Sequence, residues 1–150
     1  AEIPPGWLEF VVATPAGEAA GKIHVLAMSV AIDEKEPNNG FREAQAIAAG
    51  QVVRGDIGGD KDVDVYQFTA KAGQALKVSV TGGSALLMDA ALQCFDAHGQ
   101  FLGALDDAAT RDPILNITPV ADGPVFLCVS DAHDKGGVWH SYWLSLEEVK

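Results

Sequence analysis

The sequence predicts an all-β fold, a jelly-roll-like antiparallel β-sandwich with a β-hairpin appended at its N-terminus. Three observations lead there. From residue 51 onward, short runs of alternating apolar and polar residues are punctuated by Gly, Asp and Pro. β-Branched and aromatic residues fill those runs. Only residues 41–48 have a helical composition, and that stretch is too short for more than a turn or two.

Taken in order, residues 7–14 and 22–32 are rich in β-formers and flank a turn-like segment with Gly17 and Gly21, so they read as a hairpin. Apolar residues fall on both of its faces, Phe10 and Val12 against Trp7 and Val11. A lone hairpin is marginal in water, so this one is expected to pack on something. The following strands are placed at 51–57, 63–70, 75–81, 90–95, 100–105, 114–118, 124–130 and 138–147. Period-two alternation then sets the inward face: Tyr66 and Phe68; Leu76, Val78 and Val80; Leu92 and Cys94; Leu115 and Ile117; Val125, Leu127 and Val129; Tyr142, Leu144 and Leu146. By the same parity Cys128 points away from Cys94, and the two are expected as free thiols.

At 150 residues the chain holds one full domain and an appendage. Apolar residues at 48% and charged residues at 21% are globular values, which argues against wholesale disorder. A formal net charge of -11 argues against nucleic acid and against anionic membranes, because phosphate recognition needs Lys and Arg clusters. No run is long and apolar enough to insert in a bilayer. With neither an initiator Met nor an apolar signal core at Ala1-Glu2-Ile3, the chain reads as a fragment of something larger.

Chemistry concentrates in two acidic loops, Glu34-Lys35-Glu36-Pro37-Asn38-Asn39-Gly40 and Asp60-Lys61-Asp62-Val63-Asp64, which together carry five carboxylates and two amides at strand ends. Such a density of oxygen donors suits Ca²⁺, which takes six to eight oxygens in irregular geometry. Catalytic signatures are missing: the chain has no His-Glu-x-x-His, no Gly-x-Ser-x-Gly, no phosphate-binding Gly-rich loop and no Cys-x-x-Cys. Asp106-Asp107 and Asp131-His133-Asp134 are the clusters an enzyme would have to use, and they read as solvated turns. On the last strand, Trp139 and Trp143 are expected to face outward on the same side as Phe126 and Cys128. That patch would be covered by the N-terminal hairpin or would serve as a binding face.

The run Glu34-Lys35-Glu36-Pro37-Asn38-Asn39, then Gly55-Asp56-Ile57, Asp62-Val63-Asp64-Val65-Tyr66-Gln67-Phe68, Ala72-Gly73-Gln74, Asp96-Ala97-His98-Gly99, Asp106-Asp107, Ala121-Asp122-Gly123 and Tyr142-Trp143-Leu144 resembles, in order and spacing, the bacterial pre-peptidase C-terminal domain. The likeness covers residues 34–150. It implies a sandwich carried as a non-catalytic accessory module by secreted bacterial proteins, often peptidases, in an extracellular, periplasmic or cell-surface setting. Similar domains in clostridial collagenases bind collagen and hold Ca²⁺ at the preceding linker. Carried over residue by residue, the implied ligands are Glu34, Glu36, Asn38 and Asp64, with Asp62 or Asp60 completing the shell. Lys61 stands where some relatives have an acid.

The expected partners are therefore the rest of a larger secreted polypeptide and a polymer such as a protein fibre or glycan. The alternative is a structural spacer or assembly module without a ligand. Residues 1–33 fall outside the likeness; they read as the end of a preceding immunoglobulin-like domain, or else as part of the module, covering one of its sheets.

Overall fold

The computed structural model describes residues 6–25, 31–83, 87–106 and 112–149. Strand β1 (Gly6–Thr14) and β2 (Gly17–Val25) form a two-stranded antiparallel sheet of their own. Then follow β3 (Ala31–Asp33), β4 (Gln45–Ala46), β5 (Val52–Asp56), β6 (Val63–Ala70), β7 (Leu76–Gly82), β8 (Ala90–Phe95), β9 (Phe101–Leu105), β10 (Ile114–Ile117), β11 (Gly123–Asp131) and β12 (Ser141–Glu148). They make two five-stranded sheets, in the orders β10-β7-β12-β5-β3 and β4-β6-β11-β8-β9. Short edge strands β3 and β4 run parallel to β5 and β6, so each sheet is mixed.

Alternation explains the core. In β6, Tyr66, Phe68 and Ala70 turn inward; β7 contributes Leu76, Val78 and Val80, and β12 contributes Tyr142, Leu144 and Leu146. Leu92, Cys94, Val125, Leu127 and Val129 meet them from the other sheet. Each such Val or Leu is worth about 1.5–3 kcal/mol on burial. All of the inward positions expected from the sequence lie in this core or, for Leu115, pack against it half-buried. Cys94 and Cys128 are both buried and free, their neighbours across the β8–β11 ladder being Leu127 and Gln93.

Three expectations fail. Residues 41–48 form no helix: a turn at 41–43 leads into β4. Its Gln45 fastens the chain by accepting from the Lys35 N–H at 2.7 Å and donating to the Asp33 carbonyl at 3.1 Å.

Second, Trp139, Trp143 and Phe126 share no face. β11 and β12 are consecutive in the chain but lie in different sheets, so their outward residues emerge on opposite sides of the sandwich. Phe126 is half-buried beneath Phe41, with ring centroids 4.7 Å apart. Trp143 sits between Arg54 and Thr81 in the other sheet, and Trp139, 67% exposed, stands in the loop before β12.

Third, the hairpin residues Leu8, Phe10, Val11 and Val12 are exposed, and the end of the expected second hairpin strand joins the sandwich instead, as β3, with Ile32 packed against the core. Residues 26–30, inside the expected second hairpin strand, lie outside the described residues.

Candidate metal centre

Asp64 sits at an inward-facing position of β6, in phase with Tyr66 and Phe68, where alternation would put an apolar side chain. It is fully buried at the mouth of the sandwich. The segment after β3 brings two more carboxylates to it: oxygens of Glu34, Glu36 and Asp64 lie within 4.8 Å of one another. Backbone pairing positions this segment, with the Glu34 N–H donating to the Arg54 carbonyl at 2.9 Å and the Val65 N–H to the Asn38 carbonyl at 2.9 Å. The Glu36–Pro37 peptide bond between them is cis.

Asn38 is buried among these acids. Its Nδ2 donates to Glu34 Oε1 at 2.8 Å, and its backbone N–H donates to Glu36 Oε2 at 2.9 Å. Glu34 Oε2 accepts the Asp56 N–H at 2.8 Å. Two oxygens are left over: Asn38 Oδ1 and Asp64 Oδ1 are buried and have no hydrogen-bond partner. Buried orphan acceptors cost about 1–3 kcal/mol each, more for a charged group. No described Lys or Arg pairs with the three carboxylates. With all three ionised, as a cation would require, their mutual repulsion would be on the order of 1–4 kcal/mol per pair at such separations. A hard divalent cation fits this donor set, since it would satisfy both orphans and offset the charge.

Behind the acids lie the chain's two tyrosines. Tyr142 donates its hydroxyl to Asp64 Oδ2 at 2.6 Å, Tyr66 reaches Glu34 Oε1 at 3.3 Å, and the two hydroxyls are 2.6 Å apart. Three oxygen–oxygen contacts thus share two hydroxyl protons, so with both carboxylates ionised one contact has none. Burial, the largest influence, pushes the Asp64 carboxyl up to about 9; the Tyr142 hydrogen bond opposes it, while Glu34 and Asp62 reinforce it. Burial also raises both phenols, which stay protonated as donors.

Of the six residues expected to ligate, the structure gathers Glu34, Glu36, Asn38 and Asp64 and leaves two aside. Asp62 closes its own loop, accepting the Gly58 N–H at 2.7 Å and the Val63 N–H at 3.0 Å. Asp60, exposed, faces Lys135 at 3.6 Å. Lys61 between them takes a left-handed backbone (φ 65°), which splits the two aspartates. The tyrosines escaped sequence reasoning because their alternation marks them as core, which they also are.

Neither acidic alternative makes a comparable site. Both Asp131 oxygens are taken by backbone N–H groups of Asp89, His133 and Lys135, and Asp134 is exposed. Asp106 is exposed and Asp107 lies outside the described residues.

The chain matches the bacterial pre-peptidase C-terminal domain over residues 62–131. That domain is an accessory module and not itself catalytic. A pre-peptidase C-terminal domain from a Bacillus anthracis collagenase superposes with a TM-score of 0.53 at 17% identity, over 76% of this chain and 100% of that one. PliG of Aeromonas hydrophila, a periplasmic inhibitor of g-type lysozyme, gives the same TM-score of 0.53 and identity of 17%, over 80% of this chain and 96% of that one. At such identities these two likenesses speak for the fold alone. A probable subtilase-type serine protease of Deinococcus radiodurans is 34% identical over 106 residues, 68% of this chain. The chain spans about 15% of that relative's length.

Proposed function

We propose that this chain is an accessory domain of a larger secreted, peptidase-associated protein, extracellular or periplasmic, in which Ca²⁺ ties the incoming linker to the sandwich. Glu34, Glu36, Asn38 and Asp64 are the ligands in this reading. One observation carries it: Asn38 Oδ1 and Asp64 Oδ1 are buried without partners in a ring of three carboxylates. The ion supplies charge neutralisation and oxygen coordination. Glu34 and Glu36 belong to the linker and Asp64 to β6, so binding would fix the segment after β3 against the sheet mouth.

Terbium, which takes calcium sites and is sensitised by nearby aromatic rings, is the probe. The reading expects saturable luminescence under excitation of the aromatic side chains, competed by Ca²⁺ and lost in Asp64→Asn. Luminescence that never saturates, or that survives the substitution undiminished, would overturn it.

A further inference from the structure

Residues on both sides of Asn39-Gly40 are held. Asn38 is buried, bonded through its carbonyl to Val65 and through its amide to Glu34. Phe41 stacks on Phe126 at 4.7 Å and tilts against Phe95 at 5.5 Å. Between these anchors Asn39 is exposed, and no described residue hydrogen-bonds its side-chain amide or the Gly40 N–H. A glycine after an asparagine has no side chain to shield its nitrogen and little resistance to rotation. The pair is therefore built to cyclise.

We propose that Asn39 is a site of spontaneous deamidation whose rate is set by occupancy of the adjoining cation site. The Gly40 nitrogen attacks Asn39 Cγ and gives its proton to solvent; the Cγ–Nδ2 bond breaks and ammonia leaves, closing a five-membered imide. Water then opens the ring. Cleavage of the new N–Cγ bond yields aspartate in the ordinary chain, and cleavage of the original peptide C–N bond yields isoaspartate, with the main chain rerouted through the side chain. No oxidant or reductant is needed.

Either product adds a carboxylate at the residue that follows Asn38, and isoaspartate also lengthens the main chain there. The control follows from geometry. Ring closure needs rotation at Asn39, and a cation held by Asn38 Oδ1 and Glu36 would oppose it by adding to the hydrogen bonds that already anchor Asn38. This rests on the cation-site reading above.

The full chain is incubated in warm, mildly alkaline buffer with chelator or with millimolar Ca²⁺, and the peptide spanning 36–42 is followed by mass spectrometry. The expected result is a gain of one mass unit with isoaspartate at position 39, several-fold faster in chelator, and suppressed in both Asn39→Gln and Gly40→Ala. An unchanged mass, under conditions where a synthetic peptide of the same sequence deamidates, would overturn the proposal. Equal rates with and without Ca²⁺, in protein that binds terbium saturably, would refute the control while leaving the site intact. Equal rates without saturable terbium binding would refute both.

Discussion

The phenol of Tyr142 occupies the space beside Gly55 where a side chain would stand: a Cβ there would collide with the ring and with its hydroxyl. The two residues are cross-strand partners in β12 and β5, and Gly82 flanks Tyr142 on its other side. Because position 55 is glycine, the phenol can lie flat and its hydroxyl can reach Asp64. Gly55→Ala should cost about 1–3 kcal/mol from overpacking, and it should also weaken terbium binding. Urea midpoints in chelator read the first effect and a titration reads the second; a variant equal to wild type in both would refute this account of Gly55.

Calcium should stabilise the fold by mass action. At about a hundredfold over its dissociation constant the gain is roughly 2.7 kcal/mol, visible as a higher melting midpoint than in chelator. Asp64→Asn should abolish the difference. Asp60→Asn should leave it intact, because Asp60 faces Lys135 and not the cluster. Identical wild-type midpoints with and without Ca²⁺ would reduce the acidic loop to solvated charge.

Acid sensitivity should trace in part to Asp131. Burial pushes its carboxyl up, but three backbone N–H donors, from Asp89, Lys135 and His133, outweigh burial and hold it below the usual carboxylate range. A depressed value in the folded state means that this contribution is complete above the unfolded value of about 3.9 and is lost as pH falls through the folded one. Asp131→Asn should lower stability by about 1–3 kcal/mol at neutral pH, with a shallower decline than wild type on acidification. Parallel acid limbs for the two proteins would contradict the assignment.

Removing residues 1–30 should leave the melting midpoint of the sandwich unchanged. In that segment Leu8, Phe10, Val11 and Val12 are exposed, Val11 by 62%. The sequence left two readings open, a hairpin that covers one of the sheets and a hairpin that ends a preceding domain. A markedly lower midpoint or aggregation of the shortened chain would restore the first.

Alternation made the inward face legible strand by strand, because side-chain direction is a local property of the backbone. Which sheet a strand joins is not local. Parity alone put Trp143 with Phe126, and only the crossover between β11 and β12 separates them. The cation site divides in the same way. Glu34, Glu36, Asn38 and Asp64 stood out as oxygen donors, but Asp60 and Asp62 looked identical to them and were claimed by their own loop and by Lys135. Phe41 carried no usable signal, since its ring contacts come from β8 and β11, far along the chain.

The cation site also has a kinetic meaning. Tyr142 and Asp64 are 78 residues apart in sequence, and Tyr66 and Glu34 are 32 apart, so the cluster exists only after both sheets have met. Contacts that close such long loops are costly to form early, so a site assembled from them is expected to form late in folding. Interactions absent from the transition state act on the unfolding rate and leave the folding rate nearly untouched. A bound ion would therefore work as a latch on opening: refolding would run at the same speed in chelator, while the closed sandwich would persist far longer with the ion in place.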